Sequence, residues 1–153
     1  MLVGLVSDTH GLVRPEIFSA LEGVELILHA GDVGSRSVIH ELAVIAPVRA
    51  VYGNTDVPDE PGLEASLQID VQGLSIHVSH GNEVGRPTAE KLLVRYAADV
   101  IVFGHTHRPL VVRHGSRLVV NPGAAGPRRF DVKPSVGRMR LETGEVDVEI
   151  VWL

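Results

Sequence analysis

Residues 1–32 read MLVGLVSDTHGLVRPEIFSALEGVELILHAGD, and this stretch decides the fold. Met1 to Ser7 is a short run of Leu and Val ending in polar residues, the pattern of a strand buried on both faces. Pro15 suits a first helical position, and Ile17, Phe18 and Leu21 follow at helical spacing, which predicts a short helix over Pro15 to Leu21. Leu26 to Ala30 is a second apolar run, stopped by Gly31-Asp32. Outward from it, Ser35 is placed to cap a helix running to about Val44, and Val48 to Tyr52 forms a third strand before Gly53. The order β-α-β-α-β predicts parallel strands joined by crossover helices.

Beyond Gly53 the pattern changes. Glu64 to Val71 and Leu74 to His80 flank Gln72-Gly73 and predict a hairpin, so antiparallel pairing enters here. Pro87 to Ala97 reads as a helix and Val100 to Phe103 as another buried strand. Two further hairpins follow, Leu110 to His114 with Arg117 to Asn121, then Ser135 to Leu141 with Val146 to Leu153 around Thr143-Gly144. No internal repeat, low-complexity tract or linker interrupts the chain, so a single domain over residues 1–153 is expected. The expected fold class is α/β, a mixed sandwich with a parallel first part and a hairpin-rich last part.

Composition excludes several function classes. The chain has 153 residues, 44% apolar and 22% charged, an ordinary globular composition. Nineteen acids against fourteen Lys and Arg leave a formal charge of −5, so bulk nucleic-acid binding is not expected. There is no cysteine, which removes disulfides, thiolate metal sites and cysteine nucleophiles together. No apolar run approaches the roughly 18–20 residues that span a bilayer, and no export signal opens the chain. A cytoplasmic location without a membrane partner is the expectation.

Chemistry gathers where the apolar runs stop. Asp8-Thr9-His10, Gly31-Asp32, Gly53-Asn54-Thr55-Asp56, Ser79-His80-Gly81 and Gly104-His105-Thr106-His107 each follow a predicted strand. Open α/β folds bind ligands at the carboxyl ends of strands, where adjacent loops diverge into a crevice. Singly, each cluster has a bland reading as a turn or a hydrogen-bonded histidine. Asp8 and His10, and likewise His105 and His107, are two apart and face the same way if their strands continue. Together the clusters supply Asp8, His10, Asp32, Asn54, His80, His105 and His107: two carboxylates, one amide oxygen and four imidazoles. Two four-coordinate ions sharing one carboxylate need seven such groups. Imidazole and carboxylate without thiolate suit Mn, Fe, Zn, Co or Ni. Two divalent ions are therefore expected, manganese first.

These motifs, in this order, resemble the calcineurin-like metallophosphoesterase superfamily, from Leu2 to about Gly126. Gly53-Asn54-Thr55-Asp56 and Asn121-Pro122-Gly123 look like its small bacterial and archaeal phosphodiesterase branch, the YfcE type. The resemblance implies a four-layer α/β/β/α sandwich of two mixed sheets. It implies one ion held by Asp8, His10, Asp32 and His107 and another by Asp32, Asn54, His80 and His105, with Asp32 bridging. It also implies hydrolysis of a small phosphodiester by a metal-bridging hydroxide, with Asp32, Asn54 and His105 as catalytic residues. Two positions depart from the family pattern: Thr55 stands where many members carry a leaving-group histidine, and Asn82 where some carry a further one. Diesters with good leaving groups are therefore expected to be cleaved faster than alkyl monoesters.

Other residues are read more modestly. Asp56 is expected to orient Asn54 or the turn, and His29 to be a core or supporting histidine. Arg86, Arg108, Arg128 and Arg129 are candidates to contact phosphate, with a solvated surface role as the plain alternative. His77 and Tyr52 read as core, His40 and His114 as surface. The competing functions are a non-catalytic interaction scaffold of the same fold and a nucleotide-directed phosphatase or pyrophosphatase. The scaffold has no need of all seven groups, and few aromatic residues are available to stack on a base. The exposed edge of the hairpin-rich half is compatible with a homodimer or higher oligomer.

Overall fold

A computed structural model describes residues 1–129 and 131–153. The first sheet contains β1 (Leu2–Val6), β2 (Leu26–His29), β3 (Val48–Val51), the short β4 (Leu63–Glu64), and a late hairpin, β10 (Ser135–Glu142) with β11 (Glu145–Trp152). Its spatial order is β11-β10-β1-β2-β3-β4; β1 to β4 are mutually parallel, and β10 runs antiparallel to β1. The second sheet is ordered β5-β6-β7-β9-β8, from β5 (Leu67–Val71), β6 (Leu74–Val78), β7 (Val100–Val102), β8 (Leu110–His114) and β9 (Arg117–Asn121). Here β6, β7 and β9 are parallel, with an antiparallel strand at each edge. Both sheets are mixed.

Alternation along the strands builds the layers. Val3 and Leu5 of β1 and Leu28 of β2 meet Ile76, Val78, Val100, Val102, Leu118 and Val120 between the sheets. The other face of the first sheet, with Val6 and Ile27, packs against Ile17 and Leu21 of the first helical segment and Val38 and Leu42 of the second. The outer face of the second sheet packs Ile101 and Val119 against Leu92 of the third. Those helices are α1 (Glu16–Ala20), α2 (Arg36–Leu42) and α3 (Ala89–Arg95). The order is therefore helix, sheet, sheet, helix. Apolar runs at the start of the chain follow directly, because β1 and β2 are covered on both faces.

Local chemistry sets the boundaries. Ser35 caps α2, its side chain accepting from the Ser37 N–H. α3 is shorter than Pro87 to Ala97. It begins after Thr88, whose side chain accepts from the Lys91 N–H, and stops where Tyr96 turns extended. Arg117 of β9 then donates to the carbonyls of Leu93, Tyr96 and Ala98, satisfying acceptors that the helix leaves open. The expected strand from Glu64 to Val71 is in fact two. Leu63–Glu64 pairs with β3 in the first sheet, and Leu67–Val71 pairs with β6 in the second, so the chain crosses between sheets at residues 65–66. Among the described residues no helix is long and apolar enough to cross a membrane.

Candidate metal centre

The carboxyl ends of β1, β2, β3, β6 and β7 lie at one end of the sandwich, and backbone bonds lock their loops together. Beyond the regular pairing, Asp8 N–H donates to Gly31 O (2.9 Å), His10 N–H to Asp32 O (3.0 Å) and Gly104 N–H to His80 O (3.0 Å). The two sheets are tied where His105 N–H donates to Asp8 Oδ2 (3.1 Å). Asp56 accepts from the N–H groups of Val33, Gly34 and Gly53 at 2.8–3.0 Å, stapling the β3 loop to the β2 loop, as expected of an orienting residue. A Cβ at Gly53 would collide with Asp32 Oδ1, so only glycine lets that carboxylate lie flat against the loop.

The same-side placement of the paired residues arises differently from strand alternation. β1 ends at Val6 and β7 at Val102, and Asp8, His10, Asp32, His105 and His107 all have positive φ, between 45° and 70°. Left-handed turns, rather than continued strands, aim these side chains inward. Only Asp59 and Gln72 share that conformation among the other described non-glycine residues. Such strain persists where surrounding structure enforces it, and it concentrates at functional sites.

The side chains converge. Asp8 Oδ1 lies 3.3 Å from His107 Nε2 and 3.9 Å from the Nε2 atoms of both His10 and His80. Asp32 Oδ2 lies 3.3 Å from His80 Nε2 and 3.7 Å from His10 Nε2. Donor atoms of Asp8, His10 and His107, and of Asp8, Asp32 and His80, fall within 4.8 Å of one another, two groups that could each hold an ion. Asn54 Oδ1 is bonded instead to His105 Nδ1 (3.0 Å), and the His105 ring meets His80 at a centroid distance of 5.2 Å. All seven sequence candidates are thus in one place. Five form the two donor groups, with Asp8 common to both, while Asn54 and His105 form a pair beside them.

Buried atoms here lack hydrogen-bond partners. Asp8 Oδ1, His10 Nε2 and His80 Nε2, all facing the centre, have none among the described residues; nor does His107 Nδ1, although it is Nε2 of that ring that lies 3.3 Å from Asp8 Oδ1. An unsatisfied buried polar atom costs about 1–3 kcal/mol, so several at one point call for an occupant that binds lone pairs. The tautomers fit a cation. His80 Nδ1–H donates to Ala30 O (2.8 Å), which leaves the Nε2 lone pair facing both carboxylates. Burial alone would lower the His80 pKa, but the Asp32 carboxylate facing Nε2 at 3.3 Å and the Asp8 charge raise it. The proton drawn there occupies the place a divalent ion would take. Burial alone would raise Asp8 and Asp32, yet contacts from His107 and Ser7 to Asp8, and from His80 and the Thr55 N–H to Asp32, hold both below the usual range. Both carboxylates stay ionised. Burial lowers His10 and His105, keeping those imidazoles neutral and available.

Supporting residues were less visible in the sequence. Ser7 donates to Asp8 Oδ2 (2.7 Å), a role no motif announced. His29 is fully buried, accepts from the Gly31 N–H at Nδ1 and contacts Thr9 Oγ1 through Nε2, as a supporting histidine should. Burial pushes its pKa down to about 4. His77 is also buried, stacked on Tyr96 at 3.7 Å on the outer face of the second sheet, and is core as expected. His40 and His114 are exposed, and Tyr52 is half-buried.

Comparison with known proteins places this geometry. The model of the "Calcineurin-like phosphoesterase superfamily domain" matches residues 1–144. The chain belongs to this superfamily. A Methanothermobacter thermautotrophicus relative named "Probable metallophosphoesterase" is 36% identical over 162 residues, covering 99% of this chain and 92% of its own. "Phosphodiesterase MJ0936" of Methanocaldococcus jannaschii is 29% identical over 141 residues, covering 80% and 83%. Among solved structures, a Vps29 mutant from Entamoeba histolytica superposes with a TM-score of 0.82 at 22% identity, over 100% and 99% of the two chains. A structure described as that of a novel archaeal phosphodiesterase superposes at 0.73 with 26% identity, over 99% and 100%. The Vps29 likeness is one of fold. In this chain, Asp8, His10, Asp32, His80 and His107 are the candidate metal ligands that the structure gathers.

Proposed function

We propose that this chain is a dinuclear metal-dependent phosphodiesterase, with manganese as its first-choice ion, acting on a small phosphodiester. The observation that carries the proposal is the convergence of two buried carboxylates with imidazoles, of which His10 and His80 turn Nε2 atoms without a hydrogen-bond partner toward the centre. The relative named a phosphodiesterase and the archaeal phosphodiesterase structure support the choice of ester. Asp8, His10 and His107 would hold one ion. Asp32 and His80 would hold the other, completed by Asn54 and His105, with Asp32 also serving the first, since its Oδ2 lies 3.7 Å from His10 Nε2 as well as 3.3 Å from His80 Nε2. Bound divalent ions supply Lewis acidity toward phosphoryl oxygens and an acidified water as nucleophile.

The chain's own part is to fix these donors. Ser7 Oγ and the His105 N–H pin Asp8 Oδ2, so Oδ1 faces the centre. The Thr55 N–H (3.0 Å) holds Asp32 Oδ1, leaving Oδ2 for the imidazole side. Ala30 O fixes the His80 tautomer. In hydrolysis water adds to phosphorus, one P–O ester bond breaks, and the expelled alkoxide must take up a proton. Thr55 offers no acid for that step, so good leaving groups are favoured. The test is direct: protein stripped by chelator should not cleave bis(p-nitrophenyl) phosphate and should regain activity with added manganese or nickel. Full activity in the presence of chelator would refute the proposal.

A further inference from the structure

The chain has fourteen Lys and Arg, and most are committed. Arg36, Arg49 and Arg113 are in ion pairs; Arg14, Lys91, Arg117 and Arg138 donate to carbonyls; Arg95 lies over Tyr96. Six side chains have no such partner among the described residues: Arg86, Arg108, Arg128, Arg129, Lys133 and Arg140. Five of the six sit in the loops that follow β6, β7 and β9, on a protein of net charge −5.

Two of them line a cleft that meets the centre through His105. A cleft of about 930 Å³ is lined by His105 and Thr106 on one side and by Arg86, Arg108 and Glu90 around its rim, over an apolar floor that includes Leu110. Its volume suits a small ligand. Glu90 forms no ion pair with either guanidinium. Yet the backbones that carry the two arginines are fixed. Arg86 O accepts from Lys91 Nζ (2.9 Å), and Arg108 N–H donates to Thr106 Oγ1, itself held by Asn121 Nδ2 (3.0 Å). Exposed arginines on anchored turns, unpaired and opening onto a phosphoryl-transfer site, are arranged to receive an anion.

We propose that the Arg86–Arg108 cleft is a second anion subsite, so that the substrate is a phosphodiester carrying another anionic group on the arm that is retained. The proposal rests on the phosphodiesterase reading of the centre. The diester phosphate is bound at the metal ligands, and the retained arm extends past His105 along the apolar floor to the arginines.

A matched pair of substrates with one leaving group tests it: p-nitrophenyl butyl phosphate and p-nitrophenyl 3-sulfopropyl phosphate, with manganese. The sulfonate adds one charge and is not itself hydrolysed. The expected kcat/KM is about tenfold higher for the sulfopropyl diester at low salt, the preference due to a charge-assisted contact near the surface. That ratio should shrink in 0.5 M salt and fall to about one in R86A/R108A. Calorimetric binding of the metal-loaded protein to butyl and 3-sulfopropyl methylphosphonate should show the same ratio without turnover. If wild-type protein cleaves neither diester, the phosphodiesterase reading fails, and the phosphonate ratio alone decides the subsite. A ratio near one in wild-type protein, or a tenfold ratio that survives the double substitution, overturns it.

Discussion

Replacing Asp32 with asparagine changes one charge and almost no volume, and its consequences follow from distances already given. The new side-chain amide would keep an oxygen to accept the Thr55 N–H, so the loop that Asp32 Oδ1 now holds should survive. What disappears is a negative charge within 3.3 Å of His80 Nε2 and 3.7 Å of His10 Nε2. A cation held by either nitrogen would sit only a few ångströms from the carboxylate. At about 4 Å and an effective dielectric constant of about 20, one pair of unit charges is worth about 4 kcal/mol. A divalent ion doubles that, and the amide oxygen returns part, so a net loss of about 4 kcal/mol, or about 10³-fold in affinity, is expected. With free manganese at about 100 times the wild-type Kd, binding stabilises the protein by about 2.7 kcal/mol, raising Tm by roughly 5–11 °C. For D32N at the same concentration the gain should be under about 1 °C. Thermal unfolding of both proteins with chelator and with manganese measures this, and phosphodiesterase turnover should fall in parallel. A D32N protein that keeps the full manganese-dependent rise in Tm would refute the reasoning.

Two further outcomes are expected. His29 is fully buried with its pKa lowered to about 4, against about 6.5 unfolded. The unfolded chain therefore takes up the proton first: the His29 contribution is complete above pH 6.5 and is lost as pH falls, by about 3 kcal/mol at pH 4. Urea unfolding of chelated protein should show this slope flattened in H29Q, and identical slopes would contradict it. Introducing the missing acid with T55H should raise kcat on substrates with poor leaving groups by about 10- to 100-fold while changing p-nitrophenyl diesters little; unchanged alkyl-ester rates would show that proton delivery does not limit the reaction.

Much of this centre was legible because its residues punctuate buried strands. Asp8, Asp32, Asn54, His80 and His105 each follow an apolar run, and parallel strands bring such ends together whatever the details of the loops. The buried parallel strands were likewise visible as apolar runs covered on two faces, whereas the four-layer arrangement came from the family resemblance. Other features depend on contacts between distant residues and left no local trace. The division of Glu64 to Val71 between two sheets reflects where each half finds a partner strand. The early end of α3 reflects Arg117, more than twenty residues later, taking its carbonyls. The positive φ of Asp8, His10, His105 and His107 is imposed by the packed loops rather than by their own preference, so strand alternation named the right side chains through the wrong geometry. Ser7 became meaningful only once its hydroxyl was seen on Asp8.

The most direct test of the central claim is an anomalous difference map from a crystal grown with manganese. We predict two strong peaks at the carboxyl ends of the strands, one within about 2.0–2.3 Å of donors from Asp8, His10 and His107 and one within the same range of Asp32 and His80 donors. A single peak, or none beside those side chains at saturating manganese, would contradict a two-ion centre.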